Sequence, residues 1–474
     1  IVMNKPEGVE KVEMAGPGFI NFYLSKEFFK ESLGEIIEKR DEFGKNEHAK
    51  GFKVIVEYTS PNLFKPLHIG NLVGNITGES LARIFEYSGA EVKRINYPSD
   101  IGLTVAKAVW GLKKTQGDPN DIKVLGEAYR LGNESYENDL TAKEEIEQTN
   151  KALYENSNPE LSSLREKGIK TSLKHLDSLC ERFGTKFDKE FFESQAAPIG
   201  QQIVKENTSK IFEESEGAII FRGEHVRVFL NSQGLPTYEA KELGLFKLKI
   251  EEFPDFDLSI TITGTEQKDF FKIVFEAIKK VFPKETEGKI LKHIANSFLR
   301  LPTGKMSSRL GNTISGEDLI EEVRGKVKDD EAVAVGAIKY MILRQAIGND
   351  IVFDLEKSVS TEGDSGVYLQ YAHARANSIL EKADKKADSS GERANIHEVE
   401  RLLYRFPEIV ERAGAEYAPN YITTYLTELA SAFNNFYAHE QIKDDPYRLA
   451  ITQAFKNVMR NGLNILGIPA PEKM

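Results

Sequence analysis

Residues 52–71 read FKVIVEYTSPNLFKPLHIGN, and this stretch decides the fold class. Its first eight residues carry β-branched side chains at strand length, and a proline-broken loop then leads to a helix that should begin near Ile69. Apolar residues recur with a period near 3.6 through 72–85, and EVKRINYP (91–98) predicts the next strand. Such β-loop-α-β units build doubly wound parallel sheets that bind ligands at the carboxyl ends of their strands, where HIGN would lie.

The segments around this unit predict an α/β sheet domain and a separate helical domain, with a short extension before them and a connecting segment between them. Segment 111–215 has long helical patterns and predicts a mainly helical insertion, after which strand-like stretches at 217–221, 226–230 and 258–264 should resume the parallel sheet. We therefore predict an N-terminal extension (1–45), a sheet domain (46–320) with an insertion at about 111–215, a helical connecting segment (321–357) and an all-helical domain (358–474).

Composition excludes several classes of protein. The chain has 474 residues, of which 40% are hydrophobic and 29% charged, and no apolar run approaches the roughly 18 residues that cross a bilayer. Its start lacks the pattern of a secretory signal, and its single cysteine, Cys180, excludes an intramolecular disulfide and a cysteine metal cluster. We expect a cytoplasmic protein with no membrane partner and no dedicated metal site. The net charge of −11 means that any nucleic-acid contact must come from a local patch.

Two short motifs predict a site for a triphosphate. PLHIGN (66–71) follows a strand and opens a helix, so the positive helix end, Gly70 and His68 can face phosphate oxygens. GKMSSR (304–309) offers cations and hydroxyls on a loop. An α-phosphoryl group attacked by a carboxylate gathers negative charge, which such donors neutralise. The loop residues that we assign to this role are Lys305, Ser307, Ser308 and Arg309.

These motifs, in this order, resemble the class I aminoacyl-tRNA synthetases, and more closely the arginyl-tRNA synthetases. The resemblance covers nearly the whole chain and includes AGPGFINFYLS (15–25), VEYTSPNLFKPLHIGN (56–71), AEVKRINYPSDIG (90–102), FGTKFDKEFFESQ (183–195), GLPTYEAKELG (234–244), GTEQKDF (264–270), GKMSSRLGN (304–312) and YLQYAHARANSIL (368–380). It implies a Rossmann-like, HUP-type catalytic domain and a DALR-type anticodon-binding domain. It also implies that residues 1–45 are the remnant of a larger N-terminal additional domain.

The resemblance implies the reaction and its substrates as well. ATP, with Mg²⁺ bound to it, would activate L-arginine to arginyl-adenylate, and the arginyl group would pass to the 3′ end of tRNA(Arg). Activation in this family usually requires bound tRNA. We expect a monomer. Two alternatives remain: another class I synthetase, which would lack the YEAKE and GTEQ acceptors, and a non-catalytic tRNA-binding paralogue, against which intact His68 and Lys305 argue.

Site residues follow from the same motifs. A guanidinium is planar, charged and rich in donors, so a selective pocket needs carboxylate, amide or phenolic acceptors. The resemblance places such acceptors at Glu57, Asn62, Tyr238, Glu242 and Gln267. It adds Gly264, Met306 and Asn71 to the ATP site and Lys65 to the catalytic cations.

Three positions depart from the family pattern. Glu242 stands where an aspartate is usual, Asn71 replaces the second histidine of the first motif, and Ser308 replaces the second lysine of the loop. The chain has both Lys65 and Lys305, although family members that lack the loop lysine often carry the earlier one, so one of the two could be redundant.

Transfer-RNA binding by the tail rests on the resemblance more than on charge. Aromatic side chains stack on unpaired bases and arginines bind phosphates, although helical spacing makes core packing an alternative for each aromatic residue. Our candidates are Tyr368, Arg375, Phe436, Tyr437 and Arg460.

Overall fold

The computed structural model describes residues 5–296, 299–300, 315–391 and 395–474. Its first elements are β1 (Val9–Ala15) and β2 (Phe19–Leu24), which form an antiparallel hairpin, and α1 (Lys26–Lys39). Ser25 begins the helix by accepting a hydrogen bond from the backbone N–H of Phe28 at 3.1 Å. The hairpin stands out from the body, so that Met14 is 83% exposed.

The next sixteen elements form the sheet domain and its additions. In chain order they are β3 (Lys53–Glu57), α2 (Ile69–Tyr87), β4 (Glu91–Asn96), α3 (Leu103–Thr115), α4 (Ile122–Asn138), α5 (Leu140–Glu155), α6 (Pro159–Arg182), β5 (Lys189–Glu190), α7 (Glu193–Glu206), β6 (Glu213–Ser215), β7 (Ala218–Arg222), β8 (Val226–Leu230), α8 (Tyr238–Glu252), β9 (Leu258–Gly264), α9 (Lys268–Val281) and β10 (Ile290–Asn296).

Five of these strands make the central parallel sheet, in the order β10-β9-β3-β4-β5. This arrangement confirms the predicted doubly wound sheet. The order reverses between β3 and β9, where Glu57 lies opposite Thr261 at the carboxyl end of β3. Because ligands of such sheets bind outside the carboxyl ends at the point of reversal, the crevice between these two strands is the place to look for a site.

Two details differ from the sequence prediction. The segment predicted as an insertion contains β5, which pairs with β4 through Ile95 and Lys189, so the sheet takes one strand from inside 111–215. A two-residue strand has too little alternation to be recognised from sequence. Strands β6, β7 and β8 do not resume the parallel sheet but form a separate antiparallel sheet. The burial of β8 shows why, since Val226 and Val228 on it are exposed, as in a sheet with one solvated face.

Helices dominate the remaining described chain, as predicted. The elements are β11 (Leu299–Arg300), α10 (Gly316–Lys326), α11 (Glu331–Leu343), β12 (Ile351–Val352), α12 (Leu355–Ser358), α13 (Gly366–Glu381), α14 (Glu398–Leu403), α15 (Phe406–Ala415), α16 (Asn420–His439) and α17 (Pro446–Ile465). Helix α11 is buried along its whole apolar length, and its side chains join a core shared by α2 and α17. The helical domain is therefore packed directly onto the sheet domain.

Arg83 on α2 marks this junction. Its guanidinium donates to the backbone oxygens of Gly184, after α6, at 3.1 Å and of Asn464, in the last turn of α17, at 3.0 Å. Beside it, Lys339 of α11 is buried and donates to the oxygens of Phe183, at 2.6 Å, and of Gly467. Helix α2 is thus hydrogen-bonded at this point both to the insertion and to the end of the tail.

Candidate active site

The loop after β3 ends in a histidine that caps helix α2. Nδ1 of His68 accepts a hydrogen bond from Gly70 N–H at 3.1 Å, and the N–H of His68 donates to Oδ1 of Asn71 at 3.3 Å. A Cβ on Gly70 would lie 3.0 Å from two atoms of the imidazole, so a larger residue here would crowd the ring. Because Nδ1 accepts, the neutral ring carries its proton on Nε2, which can donate to an anion at the helix N-terminus.

The surroundings of His68 keep the ring neutral. Although the side chain reaches solvent, nearby protein removes part of its hydration, and this desolvation lowers the pKa of His68 below its usual value. The Lys65 ammonium lowers the pKa further, while the Glu266 carboxylate opposes the change. At neutral pH, His68 is therefore a hydrogen-bond donor and not a cation.

Asn71 and Lys65 flank the same loop. The Asn71 side chain caps the helix with its oxygen and donates through Nδ2 to the Thr59 carbonyl at 3.3 Å. Both ends of this amide are engaged within the loop, so the geometry favours a structural role over the phosphate contact expected from sequence. The Lys65 ammonium lies 4.2 Å from the centre of the Tyr129 ring on α4.

Glu57 ends β3 inside the crevice and is already neutralised. Its Oε2 forms a buried ion pair with Nζ of Lys249 on α8 and lies 3.4 Å from Oγ1 of Thr261. Both charged side chains are almost wholly removed from solvent. Glu57 therefore sits where the sequence predicts, but with a counter-ion that the sequence prediction did not include.

A second buried ion pair lies nearby. Oε2 of Glu193, the first residue of α7, lies 2.5 Å from Nζ of Lys241 on α8. Burial of Lys241 lowers its pKa, but the Glu193 carboxylate and the Tyr154 hydroxyl oppose this effect, and the resulting pKa of Lys241 lies above its usual value. Sequence analysis missed Glu193, because the strand before it, β5, has only two residues; the one local signal was an acid at the start of a helix.

Glu242 has no such counter-ion. It lies one helical turn after Tyr238, is only partly accessible, and makes no hydrogen bond or ion pair with any residue in the described ranges. Burial and the Glu57 carboxylate raise the pKa of Glu242 well above its usual value, against the effect of Lys249. Among the described residues, Glu242 is therefore unpaired, whereas Glu57 and Glu193 each have a lysine partner.

Glycines set the distance between α8 and α7. A Cβ on Gly200 would lie 1.8 Å from the carbonyl oxygen of Ala240, and one on Gly244 would lie 2.0 Å from that of Ala196. The two backbones therefore approach to a distance that side chains would prevent. This crossing fixes the helix that carries Tyr238, Lys241, Glu242 and Lys249.

The other predicted residues lie around the crevice. Tyr238 is exposed at the start of α8, Gln267 is exposed before α9, and Asn62 is partly buried in a loop whose backbone pairs with Ser99. The side chains of Asn62 and Gln267 make no hydrogen bond within the part of the chain that the structure describes. Gly264 ends β9, where a Cβ would lie 2.3 Å from the carboxylate of Glu266. The predicted loop residues Lys305, Met306, Ser307, Ser308 and Arg309 fall outside the described residues.

An arginine between two tyrosines marks the surface of the tail. The Arg375 guanidinium carbon lies 4.7 Å from the centre of the Tyr371 ring and 5.3 Å from that of Tyr437, and both rings are partly exposed. Asn434 orients the group by accepting from Arg375 at 2.6 Å, and it donates to the Tyr368 hydroxyl at 2.9 Å. Three of the five predicted tRNA-binding residues are therefore brought together here.

The remaining two lie elsewhere. Phe436 is 4% exposed and packs edge-on against His397, because its position on α16 faces the core. Arg460 forms an ion pair with Asp41, just after α1. Neither side chain presents a free group for RNA binding, because Phe436 is in the core and Arg460 is paired with Asp41.

Among the described residues, no group of three or more His, Cys, Asp or Glu side chains is placed to hold a metal ion. No helix in those ranges is both long and apolar enough to span a bilayer.

Comparison with known proteins covers both parts of the chain. Residues 32–355 match the family model for the class I tRNA synthetase (R) catalytic domain, and residues 369–474 match the DALR anticodon binding domain. The arginine–tRNA ligase of Borrelia hermsii is 31% identical over 97% of this chain and 86% of its own length. That of Thermococcus kodakarensis is 30% identical over 99% and 88%. The structure of Thermus thermophilus arginyl-tRNA synthetase superimposes with a TM-score of 0.79 at 25% identity, over 99% of this chain and 89% of that one.

Proposed function

The chain belongs to the class I arginyl-tRNA synthetases, and on this premise we propose that Glu242 is the carboxylate that binds the guanidinium of the substrate arginine. The enzyme is an arginine–tRNA ligase: it joins L-arginine to ATP as arginyl-adenylate, with release of pyrophosphate, and then transfers the arginyl group to the 3′ end of its tRNA.

One observation carries the assignment to Glu242. Glu57 and Glu193 have lysine partners, whereas Glu242 makes no ion pair or hydrogen bond among the described residues although it is largely removed from solvent. A carboxylate with a raised pKa, in a partly accessible position, gains most from an incoming cation, because the cation replaces lost hydration. Its side chain is one methylene longer than the aspartate usual in the family, and the planar guanidinium can still bind it through two parallel hydrogen bonds.

Other residues complete the amino-acid pocket. Tyr238 lies at the mouth, one turn of α8 before Glu242, where its ring can cover the methylene chain of the substrate. Asn62 and Gln267 carry amides that are free of hydrogen bonds within the described chain and suit the ammonium and carboxylate of the substrate. Glu57 acts through Lys249 and Thr261 to hold the pocket's shape.

ATP binds at the N-terminus of α2 in this proposal. Nε2 of His68 and the first N–H groups of the helix donate to phosphate oxygens, Gly70 and Gly264 permit close approach, and Lys65 supplies a cation. From the loop, Lys305 and Arg309 neutralise charge on the departing pyrophosphate, helped by the Ser307 and Ser308 hydroxyls and the Met306 backbone. Mg²⁺ enters with ATP. No enzyme nucleophile is needed, because the substrate carboxylate attacks the α-phosphorus and pyrophosphate leaves.

The tail holds tRNA through Tyr371, Arg375 and Tyr437. Two exposed rings on either side of a guanidinium suit stacked bases and an adjacent phosphate. The protein acts in the cytoplasm as a monomer, and arginine activation requires bound tRNA, as is usual in the family.

Pyrophosphate exchange tests the amino-acid assignment. The parent should exchange pyrophosphate into ATP with arginine alone among the twenty amino acids, and only when tRNA is present. Glu242→Gln should lose exchange at arginine concentrations that saturate the parent. Glu251→Gln is the matched control, because it changes an exposed glutamate on the same helix. Parental exchange by Glu242→Gln would show that another carboxylate binds the guanidinium.

A further inference from the structure

Helix α4 of the insertion contacts the loop that leads into α2 at two successive points. This loop, KPLHIGN (65–71), is called the nucleotide loop below. The Lys65 ammonium lies over the Tyr129 ring, 4.2 Å from its centre. One turn earlier, a Cβ on Gly126 would lie 2.9 Å from Cδ of Pro66, so the helix backbone packs directly on the residue next to this lysine. An insertion without phosphate-binding motifs of its own therefore bounds one side of KPLHIGN.

Glycines fix α4 in this position. A Cβ on Gly111 of α3 would lie 2.1 Å from the carbonyl oxygen of Ala128, and one on Gly132 of α4 would lie 2.1 Å from that of Lys107. The two helices therefore pack backbone to backbone on either side of Tyr129. A crossing of this kind permits little sliding, since any shift brings main-chain atoms into collision.

A lysine side chain needs such support if it is to act at a defined point. Its four-carbon stem has many rotamers, and a hydrated ammonium gains little by staying near the protein. An aromatic face attracts a cation and restricts its positions. Lys65 lies three residues before His68, the N-cap of α2, and its charge lowers the pKa of His68.

We propose that Tyr129 is a positioning residue that holds the Lys65 ammonium over its ring, beside the helix end where the ATP phosphates bind. The inference rests on the proposed phosphate-binding role of Lys65. It gives the insertion a part in arginine activation, because the residue that orients a cation for the phosphates belongs to α4 and not to either sequence motif.

Substitution of Tyr129 tests this proposal in the full-length enzyme with tRNA present. Tyr129→Leu should lower kcat for pyrophosphate exchange about three- to tenfold, with a smaller change in KM for ATP, because the cation acts on charge that develops in the transition state. Tyr129→Phe keeps the ring and should recover most of that loss. In a Lys65→Met background, Tyr129→Leu should cause no further decrease, since the cation that it positions is gone.

Tyr136 supplies the matched control. It lies on the same helix, with the Lys107 ammonium 4.2 Å from its ring centre, and no hydrogen bond or ring contact among the described residues joins it to residues 65–71. Tyr136→Leu should therefore leave kcat unchanged, and an equal loss in both leucine variants would overturn the proposal in favour of general loosening of α4. If Lys65→Met lowers kcat for pyrophosphate exchange and Tyr129→Leu does not, Tyr129 has no positioning role. If Lys65→Met itself has the parental rate, the proposed role of Lys65 is wrong, and this inference fails with it.

Discussion

The carboxylate of Glu57 and the ammonium of Lys249 form an ion pair that is buried between the end of β3 and helix α8. The protein thereby neutralises the carboxylate that lies nearest the point where the sheet order reverses. Glu242, by contrast, makes no ion pair or hydrogen bond within the described residues, so a cationic ligand can balance its charge. Glu57 and Glu242 therefore have different roles, although the sequence predicts both as ligands of arginine, and substituting them should have different effects.

Replacing Glu242 with Gln should weaken arginine binding without weakening the fold. Loss of a charge-assisted contact to the guanidinium costs about 2–5 kcal/mol, which is roughly thirtyfold or more in Kd. Glu57→Gln instead leaves Lys249 buried and unpaired and should lower the free energy of unfolding by about 3–5 kcal/mol. Calorimetric titration with arginine and denaturant unfolding of both variants measure the two effects. Parental arginine affinity in Glu242→Gln contradicts the assignment.

Arginine affinity should rise with pH. Burial and the Glu57 carboxylate raise the pKa of Glu242 in the free enzyme, so this carboxyl keeps its proton to a higher pH than an ordinary glutamate does. A bound guanidinium favours the carboxylate, the complex holds fewer protons, and binding releases protons until the pH exceeds the raised pKa. Titrations at several pH values, each in two buffers of different ionisation enthalpy, measure this release. The Glu242→Gln variant should not show it, and proton uptake by the parent would refute the mechanism.

Lys305 should act mainly on the chemical step. Its charge would meet the departing pyrophosphate, so Lys305→Ala should lower kcat far more than it raises KM for arginine. Steady-state pyrophosphate exchange with tRNA present separates the two constants. An unchanged kcat would mean that Lys65 alone supplies the needed cation, and the double variant with Lys65→Met should then lose the activity that remains.

The tyrosines beside Arg375 should contribute to tRNA affinity. Replacing Tyr371 and Tyr437 together with alanine removes both stacking faces and should raise KM for tRNA by about tenfold or more, since each base stack contributes about 1–3 kcal/mol. Pyrophosphate exchange at saturating tRNA should be unaffected. Aminoacylation at increasing salt adds a check, because Arg375→Ala should lessen the dependence of KM on salt. A tRNA KM equal to that of the parent would place the anticodon contacts elsewhere.

The helix crossing that fixes α8 should not tolerate a methyl group. A Cβ on Gly200 would collide with the backbone of Ala240, so Gly200→Ala should lower the free energy of unfolding by about 1–3 kcal/mol or more. Gly325, on α10, has open space around it and is exposed. Gly325→Ala should therefore stabilise the protein by up to about 1 kcal/mol. Thermal and denaturant unfolding measure both effects. If Gly200→Ala is as stable as the parent, the close approach of α7 and α8 does not require glycine at this position.

Local patterns in the sequence predicted many of the strands and helices. They did not predict which distant side chains form ion pairs. The strand and helix within residues 52–87 have clear periods, so the sheet class and the start of α2 near Ile69 could be foreseen. The partner of Glu57 is 192 residues away, and no local rule selects Lys249 over the other lysines of α8. Glu193 was missed because it follows a two-residue strand. Phe436 shows the limit of residue type alone, since an aromatic suited to stacking lies instead in the core.

The hydrogen bonds of Arg83 affect how parts of the chain unfold locally. They join α2 to the last turn of α17, and the two helices also share apolar neighbours. Neither helix can separate from the other without exposing buried surface on both, so they should open as one cooperative unit and not as two modules. The last helix of the tail thus belongs, in energetic terms, to the same folding unit as the helix whose first turn carries His68.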